Sequence, residues 1–246
     1  MSGKRIHLSV VVSTNMHTTD LLSHSGIEPW TIVSADFQSG GKGQRGRVWE
    51  SEAGENLTFS VVLKPKIKIA DQYLISASVS LAIVDLMGNH GCHGFVKWPN
   101  DIIVNDHKIA GLLIENQIKG NQVEYSIAGI GLNVNQVHFN TYRWPATSLK
   151  LENATQLSFD REQILSELIN RLKVRLAEAE RDGRKLIETL NEHLYKKGES
   201  VFFLKNGEST HGIVREVTPD GRLLLSEKDG LISYSNGEIT FMNTFD

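Results

Sequence analysis

Cys92 is the only cysteine in this chain of 246 residues, which excludes an internal disulfide and any cysteine-rich zinc site. That scarcity suits a reducing cytosol, and Cys92 itself reads as a small hydrophobe near a helix end. A basic surplus is also missing. Lys and Arg number 26 against 29 Asp and Glu, a formal net charge of −3, so nucleic acid is not an expected partner. The amino-terminal MSGKRIHLSVVVSTN holds an apolar run too short for a signal-peptide core or a membrane span. The expected location is therefore the cytoplasm, with no membrane partner. No repeat, low-complexity tract or long linker breaks the chain. No helix-turn-helix lies ahead of the first strand at residue 6, which argues against a repressor.

What the sequence does have is concentrated at residues 36–63. Gly40, Gly41, Gly43 and Gly46 are interleaved there with Lys42, Arg45 and Arg47, and an apolar strand pattern follows. Glycine lets a ligand approach the backbone closely. Exposed N–H groups beside cations make a site for an anion such as phosphate. A P-loop is excluded, because no Gly-Lys-Ser/Thr opens a helix here; Trp49 and then a strand come next.

Alternation of Ile6, Leu8, Val10 and Val12 predicts a first strand, and Ser13-Thr14-Asn15 supplies a cap before a short helix. Strands are expected at 31–36 and 57–63, and a long apolar helix over 71–87. GFVKWPNDIIVNDHKIAGLLIEN reads as a strand, a Pro-Asn-Asp break and a hairpin turning at Asn105-Asp106-His107. Gly129 and Gly131 fall within the next strand, the mark of a bulge or of a close approach to the backbone. Asp160 and Gln163 suggest a capping box before a helix that breaks at Asp182-Gly183, and a second helix reaches about Lys197. Beyond it, Asn206-Gly207, Asp220-Gly221, Asp229-Gly230 and Asn236-Gly237 punctuate short β-type runs, as in a meander or small barrel. The expected domains are residues 1–190, with a mixed β-sheet flanked by helices, and residues 191–246, all β; the fold class is α+β.

Ser13-Thr14-Asn15, Gln38 with the glycine loop, Lys97-Trp98-Pro99-Asn100-Asp101, Lys108-Ile109-Ala110-Gly111 and Gly129 to Asn133 follow one another in this order. In that combination nearly the whole chain resembles the class I biotin protein ligases. The resemblance implies a synthetase-like catalytic domain of class II type followed by a small barrel like a Src-homology-3 domain. It implies the activation of biotin with ATP and Mg²⁺ to biotinyl-5′-AMP, then transfer to a lysine of a biotin carboxyl carrier domain. A homodimer is compatible with it.

By the same resemblance, Ser13, Thr14, Asn15, Gln38, Lys42, Gly43, Gln44, Lys108 and Gly111 would face biotin. Lys42, Arg45, Arg47, Trp49, Asn100 and Asn133 would face the nucleotide. Lys108, Asp101 and Arg47 would be catalytic, and Asp101 would hold the metal. The chemistry explains the residue types: a carboxylate must meet a phosphate, so cations and N–H groups are needed to offset their repulsion. Two features depart from the familiar pattern. The loop reads Gly41-Lys42-Gly43-Gln44-Arg45-Gly46-Arg47 where the family has Gly-Arg-Gly-Arg-Arg-Gly-Arg, and no amino-terminal DNA-binding segment is seen, as expected of a monofunctional member. The competing readings are a lipoate or octanoate ligase on a related fold and a non-catalytic biotin-binding sensor.

Overall fold

The computed structural model describes residues 3–140, 144–155 and 157–242. Its larger sheet has seven strands: β1 (Arg5–Val11), β2 (Ile32–Gln38), β3 (Leu57–Leu63), β4 (Phe95–Lys97), β5 (Asp101–Val104), β6 (His107–Lys119) and β7 (Gln122–Leu132). Their order is β1-β2-β3-β7-β6-β5-β4. Only β1 and β2 run parallel; the other neighbours are antiparallel, so the sheet is mixed.

Strand periodicity gives the sheet two chemically different faces. From β3, Leu57, Phe59, Val61 and Leu63 join Ala128, Ile130 and Leu132 of β7 in the core. That face is covered by α2 (Tyr73–Asn89), α4 (Arg161–Arg181) and α5 (Gly183–Glu192). The segment Ile69–Asn89 is apolar on most sides because it is sandwiched in this core. The opposite face carries Ser60, Gly129, Gly131 and Gly111. It is roofed at one end by α1 (Thr14–Ser25), and a short helix, α3 (Leu149–Glu152), lies beside the far end of β7.

The capping box is half formed. Asp160 accepts from the N–H groups of Glu162 and Gln163, but the Gln163 amide donates to Glu167 instead of turning back. The last long helix stops at Glu192, short of the expected Lys197, because Tyr195 N–H and His193 C=O are taken by Val96 of β4.

The second sheet contains β8 (Ser200–Lys205), β9 (Glu208–Val217), β10 (Leu223–Glu227), β11 (Gly230–Tyr234) and β12 (Ile239–Phe241), in the order β11-β10-β9-β8-β12 and wholly antiparallel. The Asn/Asp-Gly dipeptides lie at the turns between its strands, Gly230 being the first residue of β11. It is pinned to the larger sheet's unit by buried bonds: Asn191 grips both backbone groups of Val217, and the Trp98 indole donates to Gly221 C=O. Trp98 is thereby a structural anchor.

Candidate active site

The residues that the resemblance assigns to biotin, the nucleotide and catalysis all line one cavity of about 630 Å³ on the open face of the mixed sheet, whereas Ile109 and Ala110 of the same motif lie in the core. Its floor is made by the absence of side chains. Gly111 pairs with Gly131, and Gly129 pairs with both Ser60 and Leu113. A Cβ at Gly131 would overlap the Trp49 ring, and one at Gly129 would overlap the Asn15 amide. The strand passes through both glycines without a bulge, so they mark close approach.

One end of the cavity is polar but built almost wholly from uncharged groups. Ser13 stands at the helix N-cap, yet its side chain makes no capping bond. Thr14 donates from its N–H (2.7 Å) and hydroxyl (3.1 Å) to Gln38 Oε1, which fixes the amide orientation and leaves Gln38 Nε2 as a donor. Behind them the Ser60 hydroxyl lies 2.6 Å from Asn15 Oδ1 and 2.8 Å from Thr14 Oγ1. Asn15 Nδ2 donates to Glu115 Oε2 (2.7 Å) and Leu113 C=O (3.2 Å). Both ends of the Asn15 amide are thus committed to the framework. Asn15 shapes the pocket, while Ser13, Thr14 and Gln38 present to it.

The other end is charged. Lys108 Nζ lies 2.5 Å from Asp101 Oδ1, and Lys97 Nζ lies 3.4 Å from Asp101 Oδ2. Burial alone pushes the Asp101 carboxyl up, but the Lys108 and Lys97 ammonium groups outweigh it and hold the carboxyl below the usual carboxylate range. Burial likewise lowers the Lys97 pKa; Asp101 opposes that shift, and Lys108 and Arg47 add to it. Lys97 also sits 4.1 Å from the Trp144 ring centroid and 5.9 Å from that of Phe241 in the second sheet. Asn100 and Asn133 line this end, but their amide N–H groups donate to Leu112 C=O and Thr147 C=O. That leaves the carbonyl oxygen and one N–H of each amide for a ligand.

Between the two ends lies the glycine loop. Gly43 N–H bonds to Arg47 C=O, Arg47 N–H to Gln44 C=O and Trp49 N–H to Gly41 C=O, which folds residues 41–49 into a closed finger. Trp49 lies across the glycine floor with its ring centroid 5.5 Å from Lys108 Nζ, and its buried Nε1 has no partner among the described residues. The Arg47 guanidinium finds no hydrogen-bond partner among the described residues, and Arg47 lines the cavity. Arg45 turns away, its guanidinium bonded to backbone carbonyls of the second sheet. Arg45 still borders the cavity, at the edge where the second sheet meets the loop.

Among the described residues, no cluster of three or more His, Cys, Asp or Glu stands ready for a metal, and no histidine or cysteine lines the cavity. The arrangement suits the binding and pairing of anionic groups, with an uncharged subsite adjoining.

The sequence profile of the Biotin/lipoate A/B protein ligase family matches residues 8–133. The chain belongs to that family. Within it, the chain is 33% identical over 135 residues to the bifunctional ligase/repressor BirA of Bacillus subtilis, a match covering 54% of this chain and 42% of the relative. The chain thus spans less than half the length of this Bacillus relative. It is 27% identical over 250 residues to the biotin–[acetyl-CoA-carboxylase] ligase of Mycobacterium tuberculosis, covering 98% of this chain and 91% of the relative. The biotin protein ligase of Aquifex aeolicus, solved in complex with biotin and ATP, superposes with a TM-score of 0.78 at 25% identity, covering 98% and 99% of the two chains.

Four contributors escaped sequence reasoning. Ser60 is hidden in an unbroken buried strand, and Glu115 acts only through Asn15. Trp144 and Phe241 reach the site from a distant loop and from the second sheet. The one available signal was Ser60, a hydroxyl inside the apolar run LTFSVVL.

Proposed function

We propose that this family member is a biotin protein ligase. Biotin's carboxylate oxygen attacks the α-phosphorus of ATP and the bond to pyrophosphate breaks, leaving biotinyl-5′-AMP. The ε-amine of an acceptor lysine then attacks the acyl carbon. The anhydride C–O bond breaks, AMP departs and the amine loses a proton. The observation carrying this reading is the pairing of an uncharged hydrogen-bond shell (Ser13, Thr14, Gln38) with the Lys108–Asp101–Lys97 cluster across one glycine floor. A neutral ureido ring needs a few placed polar partners, and a carboxylate meeting a phosphate needs cations.

In this scheme Lys108 stabilises the oxygens of the anhydride, and Arg47 and Lys42 attend the phosphate. Asp101 is ionised at neutral pH, and its low pKa makes it a poor proton acceptor. Its task is to hold Lys108 in place and to meet the metal. A single buried carboxylate fits Mg²⁺, which takes one or two carboxylates plus substrate phosphates. Bound there, the ion would neutralise charge on the triphosphate. The acceptor is a biotin carboxyl carrier domain, in line with the Mycobacterium relative's name, and the reaction takes place in the cytoplasm.

The test is pyrophosphate release with ATP and Mg²⁺, with biotin or lipoate as the acid. Release with biotin alone is expected. Release with lipoate alone assigns the pocket to the other branch of the family, and release with neither leaves a binding protein. Ligand-induced rise in melting temperature provides the same comparison by mass action.

A further inference from the structure

Gln44 occupies the loop position where the familiar family pattern has arginine, and its side chain is already engaged. Its Oε1 accepts from Asn236 Nδ2 at 2.9 Å. The next residue does the same from its other side: Arg45 donates to Gly237 C=O at 2.9 Å and to Asn236 C=O at 3.4 Å. Asn236 and Gly237 form the turn between β11 and β12 of the second sheet. Gly237 suits this turn by its backbone and leaves room for the Arg45 side chain. Its φ is +90°, and a Cβ would overlap the Arg45 guanidinium. Arg45 itself is held at φ 57°, a left-handed conformation that is uncommon for a residue with a side chain.

The receiving turn is itself braced. Arg222 donates to Ser235 Oγ and Ser233 C=O, while Ser235 N–H donates to the Glu238 carboxylate. Immediately after the turn, Ile239 and Phe241 reach the cavity. The turn therefore joins the glycine loop to the wall of the site.

We propose that the Asn236–Gly237 turn is a latch that holds the glycine loop closed, and that Gln44 and Arg45 are positioning residues of this latch, not ligands of the phosphate. The loop's glycine density and like charges give it little reason to pack until an anion arrives; the latch supplies that reason. Its contacts are an amide pair and an arginine on neutral carbonyls, so closure needs no bound anion. On the ligase reading, which this part of the inference rests on, opening of the latch governs escape of the intermediate, and the second sheet restrains a loop it is not part of.

Hydrogen exchange of the unliganded protein tests the latch without any appeal to activity. The N–H groups of Gly43 and Arg47, bonded within the loop, are expected to be protected in the wild-type chain. Protection should fall severalfold in Asn236→Ala and in Gln44→Ala, and by no more in the double variant. Unchanged protection in Gln44→Ala, or additive losses in the double variant, would overturn the latch. The Gln44 variant lies on an exposed loop, so it decides the matter even if Asn236→Ala fails to fold. The second readout is the release of biotinyl-5′-AMP formed in place, expected to quicken roughly two- to tenfold, the range a neutral hydrogen bond supplies. Wild-type protein that forms no adenylate would refute the ligase reading while the exchange data still decide the latch. Adenylate formed and released equally by wild type and variants would refute the latch's role in retention.

Discussion

Lys108 reaches Asp101 because the strand carrying it contains one residue more than its partner. Asp101 pairs with Gly111 and Ile102 with Ala110, but Ile103 pairs with Lys108, leaving Ile109 as the extra residue. Ile109 turns into the core, fully buried, and Lys108 turns to the open face, where its ammonium lies 2.5 Å from Asp101 Oδ1. A bulge of this kind re-aims a side chain at the cost of local pairing. In a regular hairpin Lys108 and Gly111 would point to opposite faces.

Lys108→Ala is expected to leave the fold intact and to slow adenylate formation by about tenfold or more. A charge-assisted contact contributes roughly 1.5–3 kcal/mol, and about 1.4 kcal/mol is a factor of ten in rate. The measurement is biotin-dependent ATP–pyrophosphate exchange, with circular dichroism as the check on folding. Exchange close to wild type would make Lys108 a structural partner of Asp101 alone.

Asp101→Asn carries a pH signature. The folded pKa of Asp101 lies below its unfolded value, so between the two the unfolded chain binds more protons and stability rises with pH. The contribution is complete above the ordinary carboxylate value near about 4 and is lost as pH falls through the folded pKa. Asp101→Asn is thus expected to lower stability at neutral pH by on the order of 3 kcal/mol, since it strands Lys97 and Lys108 without their counter-ion. The gap to wild type should narrow as the solution is acidified below about pH 4. Denaturant melts across pH supply the comparison, and a gap independent of pH would contradict the assignment.

The glycine floor gives a packing prediction. Gly131→Ala places a methyl group where the Trp49 ring lies. Overpacking of this sort costs about 1–3 kcal/mol. The same substitution made in a Trp49→Ala background should cost little. Equal losses in both backgrounds would mean that the strand itself, and not Trp49, demands glycine.

Most of the fold was legible because its signals are local. β3 alternates apolar residues into the core, the Asn/Asp-Gly turns mark the second sheet, and the candidate residues fall at strand ends on one face. What was not legible depends on long-range geometry. A one-residue bulge at Ile109 decides which way Lys108 points, and no residue type announces it. The commitment of Asn15 to Glu115 and Ser60 joins three separate strands and helices. The bond from the Arg45 guanidinium to Gly237 C=O spans 192 residues of sequence, and composition gives no hint of it. The capping box closed on one side only for a related reason, since a nearby Glu167 offered Gln163 a partner one turn along.

The central claim is that this site moves biotin from a phosphate anhydride to a protein lysine. Its most direct test is incubation of the full chain with biotin, ATP, Mg²⁺ and an isolated biotin carboxyl carrier domain, read by intact mass of the acceptor. The account predicts one biotinyl group added to the acceptor lysine, dependent on ATP and lost when that lysine is changed to arginine. An acceptor that keeps its original mass, while the enzyme preparation is folded and binds biotin, would contradict it.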